Sequence, residues 1–275
     1  WMEHKDGKVL FAACDCTGHG VPGAMVSVVC NNGLNRSVRE HGLTDPGEIL
    51  NKTREIVVQE FEKSDEEVKD GMDIALCSLE FKVKSLEFDK EQHETQTELA
   101  SSTKLNQNRA CELNEVKLET AAILQYSGAN NPLWIIRPSV IANATASPDF
   151  SGKQSLQNKQ IAPLPLTVRN DGNFELIEIT ANKQPIGKFD NPEPYTTHTL
   201  ELQKGDSIYI FSDGYVDQFG GEKGKKFKAK AFRELLLSIQ DKSMEQQRIL
   251  IDVAFETWKG NVEQVDDVCI IGVRI

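Results

Sequence analysis

Three apolar, β-rich runs in this chain each meet aspartate at a turn or strand boundary. They are "FAACDCTGHG" with Asp15, "SIYIFSDGYVD" with Asp213, and "VEQVDDVCIIGV" with Asp266 and Asp267. A buried strand that ends in a carboxylate and a tight turn holds that carboxylate at the edge of a sheet, within reach of a cation. Hard divalent cations take carboxylate oxygens and waters in octahedral array, and strand ends supply such oxygens rigidly. Carboxylates crowded together repel unless a cation neutralises them, so convergence of the three runs predicts a metal site. Singly, each run has a plainer reading: Asp213-Gly214 is a common turn dipeptide, and Asp266-Asp267 a solvated strand start.

The rest of the chain says what kind of sheet these ends belong to. Residues 9–15 read as a buried strand. Pro22 suits the first turn of a helix, with Val21, Met25, Val28 and Val29 as an apolar face. Asp45, Pro46 and Glu48 form a capping-box pattern, and Ile49, Leu50, Thr53, Ile56, Val57 and Phe61 follow at helical spacing. Residues 74–81 return to strand character. Residues 120–126 and 133–137, joined by "SGANNP", read as a hairpin, since Gly and Asn tolerate the positive φ of tight connections. Residues 174–179, 195–202 and 207–212 add strands, 227–240 and 244–258 read as helices, and 268–273 as a closing strand. Strands in runs and helices in pairs favour an α+β layered domain with antiparallel sheets and helices outside over a doubly wound parallel sheet. The polar stretches 82–119 and 139–173 read as loops or insertions.

Composition narrows the function. With 42 acidic against 31 basic side chains the formal charge is −11, which argues against a nucleic-acid-binding face. No window reaches the length of a membrane span and no signal peptide is visible. The six cysteines (Cys14, Cys16, Cys30, Cys77, Cys111, Cys269) sit mostly in apolar or strand-like runs and read as free thiols in a reducing compartment. The Cys14-x-Cys16 pair lacks the further ligands of a zinc site. Trp1 opens the sequence in what reads as mid-strand, so the chain is expected to be part of a longer protein.

The segments "DCTGHGVPGAMVS", "DGMDIALCSLEF", "YSGANNPLWIIR", "NKQPIGKF", "IFSDGYVDQFGGEKGKKFK" and "DDVCIIGVRI", in this order, resemble the SpoIIE-like branch of the PPM (type two C) metal-dependent serine/threonine phosphatases. The similarity runs over residues 1–275 apart from the two polar stretches, and is nearest to bacterial versions at the C-terminal end of longer sensor proteins. It implies a four-layer α/β/β/α sandwich, two antiparallel sheets flanked by helix pairs, as one domain whose first strand, with a Gly-Asp, precedes Trp1.

The resemblance also implies a site with two Mn²⁺ or Mg²⁺ ions at one edge of the sandwich. Asp15 matches the carboxylate that bridges both ions, the backbone carbonyl of Cys16 a further ligand, and Asp213 and Asp266 the remaining metal aspartates. Asp15, Asp213 and Asp266 are therefore the expected catalytic set, with a metal-bridged hydroxide attacking a phosphate monoester in line. Asp73, His19 and Asp267 are accessory candidates. Thr17 stands where eukaryotic members carry a histidine, so the acid role of that histidine is not transferred to His19. Lys223, Lys225 and Lys226, with Lys228 and Lys230, follow Asp213 and either steer a phosphoprotein or form a solvated basic loop. By analogy the substrate is a phosphorylated regulator of the anti-anti-sigma (STAS) type, and the partners are an upstream sensor domain and a second copy of the chain. The setting is cytoplasmic, with any membrane tether in preceding segments. The alternative is a catalytically inactive module of the same fold that docks a phosphoprotein.

Overall fold

The structure, a computed structural model, describes residues 1–18, 20–62, 70–84, 119–139, 166–170 and 173–275. From the N-terminus, β1 (Met2–Lys5) and β2 (Lys8–Cys16) lead into helices α1 (Gly20–Arg39) and α2 (Pro46–Phe61). Strands β3 (Gly71–Lys84), β4 (Glu119–Ala129), β5 (Leu133–Pro138), β6 (Leu166–Asn170) and β7 (Phe174–Ile179) follow. Next come β8 (Ile186–Gly187), β9 (His198–Leu202), β10 (Ser207–Phe211) and the one-turn α3 (Gly214–Asp217). The two-residue strands β11 (Phe219–Gly220) and β12 (Lys225–Lys226), helices α4 (Lys228–Ser238) and α5 (Met244–Lys259), and β13 (Ile270–Arg274) complete the chain.

Two antiparallel sheets form the centre. One has the order β1-β2-β3-β4-β9, with β8 paired to β3; the other has the order β13-β10-β5-β7-β6. Strict alternation assigns each strand residue to a layer. In β2, Leu10 and Ala12 pack beneath α1 and α2 with Val26, Leu34, Ile49 and Leu50. Phe11 and Ala13 instead enter the layer between the sheets, with Leu133, Ile135, Ile208 and Ile210. On the second sheet Trp134, Ile136, Tyr209 and Phe211 face outward onto Phe232 and Leu236 of α4 and Ile251 and Phe255 of α5. Each sheet therefore buries both faces, which gives the expected α/β/β/α layering.

Local chemistry fixes several boundaries. Asp45 accepts the Glu48 amide at 3.1 Å from an extended backbone, with Pro46 opening α2. Ser243 and Gln246 form a reciprocal capping box at the start of α5. Asp6 and Gly7, at φ 53° and 77°, make the two-residue turn that pairs Lys5 with Lys8, the left-handed geometry that matches strand twist.

Three expectations change. Residues 120–126 and 133–137 do not form a hairpin: β4 pairs with β3 and β9, while β5 pairs with β10 and β7 in the other sheet. Asn130, at φ 60°, makes the turn, and the Tyr126 hydroxyl donates to the Asn131 carbonyl at 2.6 Å, so the tight connection passes between the sheets. On α1, Val21, Met25 and Val28 are exposed, and the buried face is Gly23, Val26, Cys30, Gly33, Leu34, Ser37 and Val38. Small residues let α1 approach α2: a Cβ on Gly33 would lie 3.2 Å from the Thr53 methyl, so hydrophobicity alone picked the wrong stripe. Finally, the polar stretch 139–173 contains β6, paired with β7, and is not loop throughout. Residues 85–118 and 140–165 lie outside the described residues, as do His19 and Cys111.

Candidate metal centre

The row of side chains that fills the space between the sheets ends in carboxylates. Along β2 it runs Phe11, Ala13, Asp15; along β3 it runs Leu79, Cys77, Ala75, Asp73. Asp15 and Asp73 are cross-strand partners, a like-charge pairing that is unfavourable without compensation. Asn130 Nδ2 compensates Asp73 with a 2.8 Å hydrogen bond. The second sheet contributes Asp213 at the end of β10 and Asp266 before β13. Asp15, Asp213 and Asp266 each offer a carboxylate oxygen, and these oxygens all lie within 4.8 Å of one another.

Tyr215 anchors the turn that carries Asp213. Its ring lies 4.5 Å from that of Phe232 and 5.1 Å from that of Phe255, and its hydroxyl donates to the Ile251 carbonyl at 2.9 Å. The Asp266 segment is brought close by backbone contact: a Cβ on Gly214 would lie 2.4 Å from the Asp267 carbonyl oxygen, so only glycine permits the approach. Ser212 donates to that same carbonyl and accepts the Cys269 amide, both at 2.9 Å.

The electrostatics follow from this crowding. Burial, then the charges of Asp266 and Asp213, push the Asp15 carboxyl up to about 7, and a hydrogen bond to Asp213 holds its proton there. Asp213 is raised by burial and by Asp266, and Asp73 is raised by burial against the opposing bond from Asn130. Three carboxylate oxygens this close together are of the kind that hard divalent ions take as ligands. On the other face of β2, hydrogen bonding with Cys30 and Ser27 brings the Cys16 thiol down to about 7, and burial pushes Cys14 up to about 12. The Cys16 side chain packs toward α1, which leaves its backbone, not its sulfur, for the carboxylate side. A cavity of about 700 Å³ opens beside the centre, lined in part by Asp15, Cys16, Ala24, Ser27 and Asp266.

The remaining candidates are placed differently. Asp267 lines the cavity, but its carboxylate is not in the cluster; its amide donates to Asp266 Oδ1 at 2.8 Å. Thr17 ties the turn to β3, its hydroxyl accepting the Gly71 amide at 2.9 Å and donating to Asp70 at 3.2 Å. Lys226 pairs with Asp217 at 2.8 Å and lies over the Phe219 ring, while Lys223 and Lys225 are exposed. Sequence reasoning passed over Ser212, Tyr215 and Gln218, which hold the two Asp-bearing segments; nothing in their spacing marks them.

Comparison with known proteins bears on this arrangement. The family described as Stage II sporulation protein E (SpoIIE) matches residues 161–275. The PP2C domain of SiaA from Pseudomonas aeruginosa superposes with a TM-score of 0.64 at 19% identity, over 100% of this chain and 79% of that one. The fold is that of the PP2C phosphatases. The PP2C domain of SpoIIE from Bacillus subtilis, solved with a fragment of its regulatory domain, gives a TM-score of 0.53 at 14% identity. The RsbU and RsbW domains of a Mycobacterium tuberculosis protein give 0.53 at 13%. This chain is covered completely in both, but spans only 56% and 55% of those chains. The SpoIIE match covers the C-terminal part of the chain, and these neighbours share the fold of the whole. A search of curated protein sequences gives no match. Among the described residues, no helix of this PP2C fold is long and apolar enough to cross a membrane.

Proposed function

We infer that the chain hydrolyses phosphoserine or phosphothreonine on a regulatory protein, with Asp15, Asp213 and Asp266 holding two Mn²⁺ or Mg²⁺ ions. The observation that carries this reading is the meeting of three carboxylates, drawn from both sheets, at one edge of the sandwich. Bound divalent ions supply Lewis-acid polarisation of phosphoryl oxygens and lower the pKa of an attacking water. The chain's own part is positional. Asp15 lies within reach of both Asp213 and Asp266 and would hold the ions with them; the Cys16 carbonyl, next along the chain at the strand end, would add a further oxygen. Asp73, kept in place by Asn130, stands beside Asp15 as an accessory ligand. The cavity beside α1 receives the phosphorylated side chain, and the exposed Lys223 and Lys225 attract an acidic phosphoprotein.

The B. subtilis and M. tuberculosis structures join PP2C or RsbU domains to further domains, which supports a phosphatase governed by another domain of its polypeptide; the substrate, a small regulator of STAS type, is proposed from the family resemblance alone. Free cysteines, including buried Cys30 and Cys77, suit the cytoplasm. The deciding assay follows p-nitrophenyl phosphate and a phosphoserine peptide with Mn²⁺, with Mg²⁺ and with chelator, for the wild type and Asp213→Asn. Turnover that needs the metal and is lost in Asp213→Asn is the expected result. Metal binding with no turnover of either substrate would leave the inactive docking module instead.

A further inference from the structure

Residues 261–267, which carry Asp266, are exposed along their whole length. Side-chain burial therefore does little to hold this segment, and hydrogen bonds must do so. Ser212 grips it after Asp266, through Asp267 and Cys269. Before Asp266 the grip comes from Gln218, fully buried directly after α3. Its Nε2 donates to the carbonyls of Phe219 and Glu263, both at 3.0 Å, and its Oε1 accepts the Val265 amide at 3.2 Å. Its own backbone carbonyl accepts the Phe227 amide at 3.0 Å and the Trp258 indole N–H at 3.1 Å. One residue thus joins α3, the β11 turn, α4, the end of α5 and the residue immediately before Asp266.

We propose that Gln218 is a positioning residue for the metal centre: its amide sets Asp266 at the distance from Asp15 and Asp213 at which the three share a cation. The proposal rests on the metal-site reading above. An amide is the group the geometry demands. A carbonyl and an N–H two residues apart on one segment need a donor and an acceptor from a single side chain, which glutamine supplies. Glutamate offers only acceptors and sets a charge against two carbonyls; methionine fills the volume and leaves the Val265 N–H unpaired. Asp213 immediately precedes α3 and Gln218 immediately follows it, so the short unit that bears one ligand also fixes the segment bearing another. Ser212 and Gln218 bracket Asp213 in sequence as their bonds bracket Asp266 in space.

The test is Mn²⁺ affinity by titration calorimetry, with melting temperature alongside, for wild type, Gln218→Met, Gln218→Glu and Gln247→Met. Gln247 is equally buried but serves Tyr209 and the Lys242 carbonyl near the start of α5, away from the carboxylates. Both Gln218 variants should bind Mn²⁺ about 10- to 100-fold more weakly, the usual effect of removing a group that orients a ligand. Gln247→Met should lose thermal stability while keeping wild-type affinity. Affinity in Gln218→Met within twofold of wild type, or an equal loss in Gln247→Met, would overturn the proposal. Amide exchange in the metal-free wild type reads the clamp without any variant: Val265 should be protected although its segment is exposed, and fast exchange there would also overturn it. Failure of the wild type to bind Mn²⁺ would sink the metal-site reading and the role of Gln218 with it. A protected Val265 amide with unchanged Mn²⁺ affinity in Gln218→Met would remove Gln218 alone.

Discussion

Replacing Asp15 with asparagine should make the metal-free protein more stable, and more so at high pH. The folded carboxyl keeps its proton up to about pH 7, whereas an unfolded aspartate releases it near pH 4. Folding therefore takes up a proton between those values. Native stability is accordingly greatest below the unfolded pKa, falls as pH rises toward 7, and levels off above it. The separations bound the size. Two unit charges at the 4.8 Å limit repel by about 1 kcal/mol in water and about 3 to 4 kcal/mol at an effective dielectric of 20. Asp213 and Asp266 are exposed, which places each pair at the weak, solvent-screened end, about 1 kcal/mol. Two pairs relieved at pH 8 come to about 2 kcal/mol, or a rise in melting temperature of about 4 to 8 °C for a chain of this size. At pH 5.5 Asp15 is already protonated and the substitution should change little. Differential scanning fluorimetry of both proteins in chelator, at the two pH values and then with Mn²⁺, makes the comparison. Mn²⁺ should raise the melting temperature of the wild type and leave Asp15→Asn unmoved. A variant no more stable than wild type at pH 8, or equally stabilised at both pH values, would refute the repulsion on which the metal site is argued.

Gly214→Ala places a methyl group against the Asp267 carbonyl at 2.4 Å; overpacking of this kind costs about 1 to 3 kcal/mol, and Mn²⁺ affinity should fall with stability, measured by calorimetry and thermal melting. Leu34→Ala, in the buried stripe of α1, should cost about 2 to 5 kcal/mol, whereas Val28→Ala on the exposed stripe should stay within about 0.5 kcal/mol; equal losses in denaturant melts would restore the apolar face read from the sequence. Reversing Lys223 and Lys225 to glutamate should raise KM for a phosphoprotein and leave p-nitrophenyl phosphate hydrolysis unchanged; equal effects on both substrates would end the steering idea.

What could be read from the sequence was what depends on local pattern. The helix from Pro46 was legible because its cap, its proline and its apolar spacing agree, and each of Ile49, Leu50, Thr53, Ile56 and Val57 is buried. The convergence of Asp15, Asp213 and Asp266 was legible because a strand that ends in a carboxylate can offer it only at a sheet edge. The β4–β5 connection was not, since the same short Gly-Asn turn serves a hairpin or a passage between sheets, and only tertiary pairing decides. The α1 stripe was misread because close packing on α2 selects Gly33 and Ser37, and the tight approach of the Gly18 backbone selects Gly23, over valine and methionine. The strand at Trp1 was legible, but its end and its pairing with β2 were not, although Asp6-Gly7 is a strong hairpin signal. Ser212 and Gln218 act through backbone groups far away in sequence, which no spacing rule reports.

The passage of the chain between the sheets has a consequence for how the molecule could be divided. Strand β5 lies in the C-terminal sheet although it belongs to the first half of the chain, and β9 lies in the N-terminal sheet although it belongs to the second. A backbone break anywhere between Pro138 and Leu166 would leave two pieces, each holding a strand that the other lacks. One piece would carry Asp15 and the other Asp213 and Asp266. Neither could present the centre alone, and cation binding would report their reunion, making this chain a natural candidate for fragment complementation.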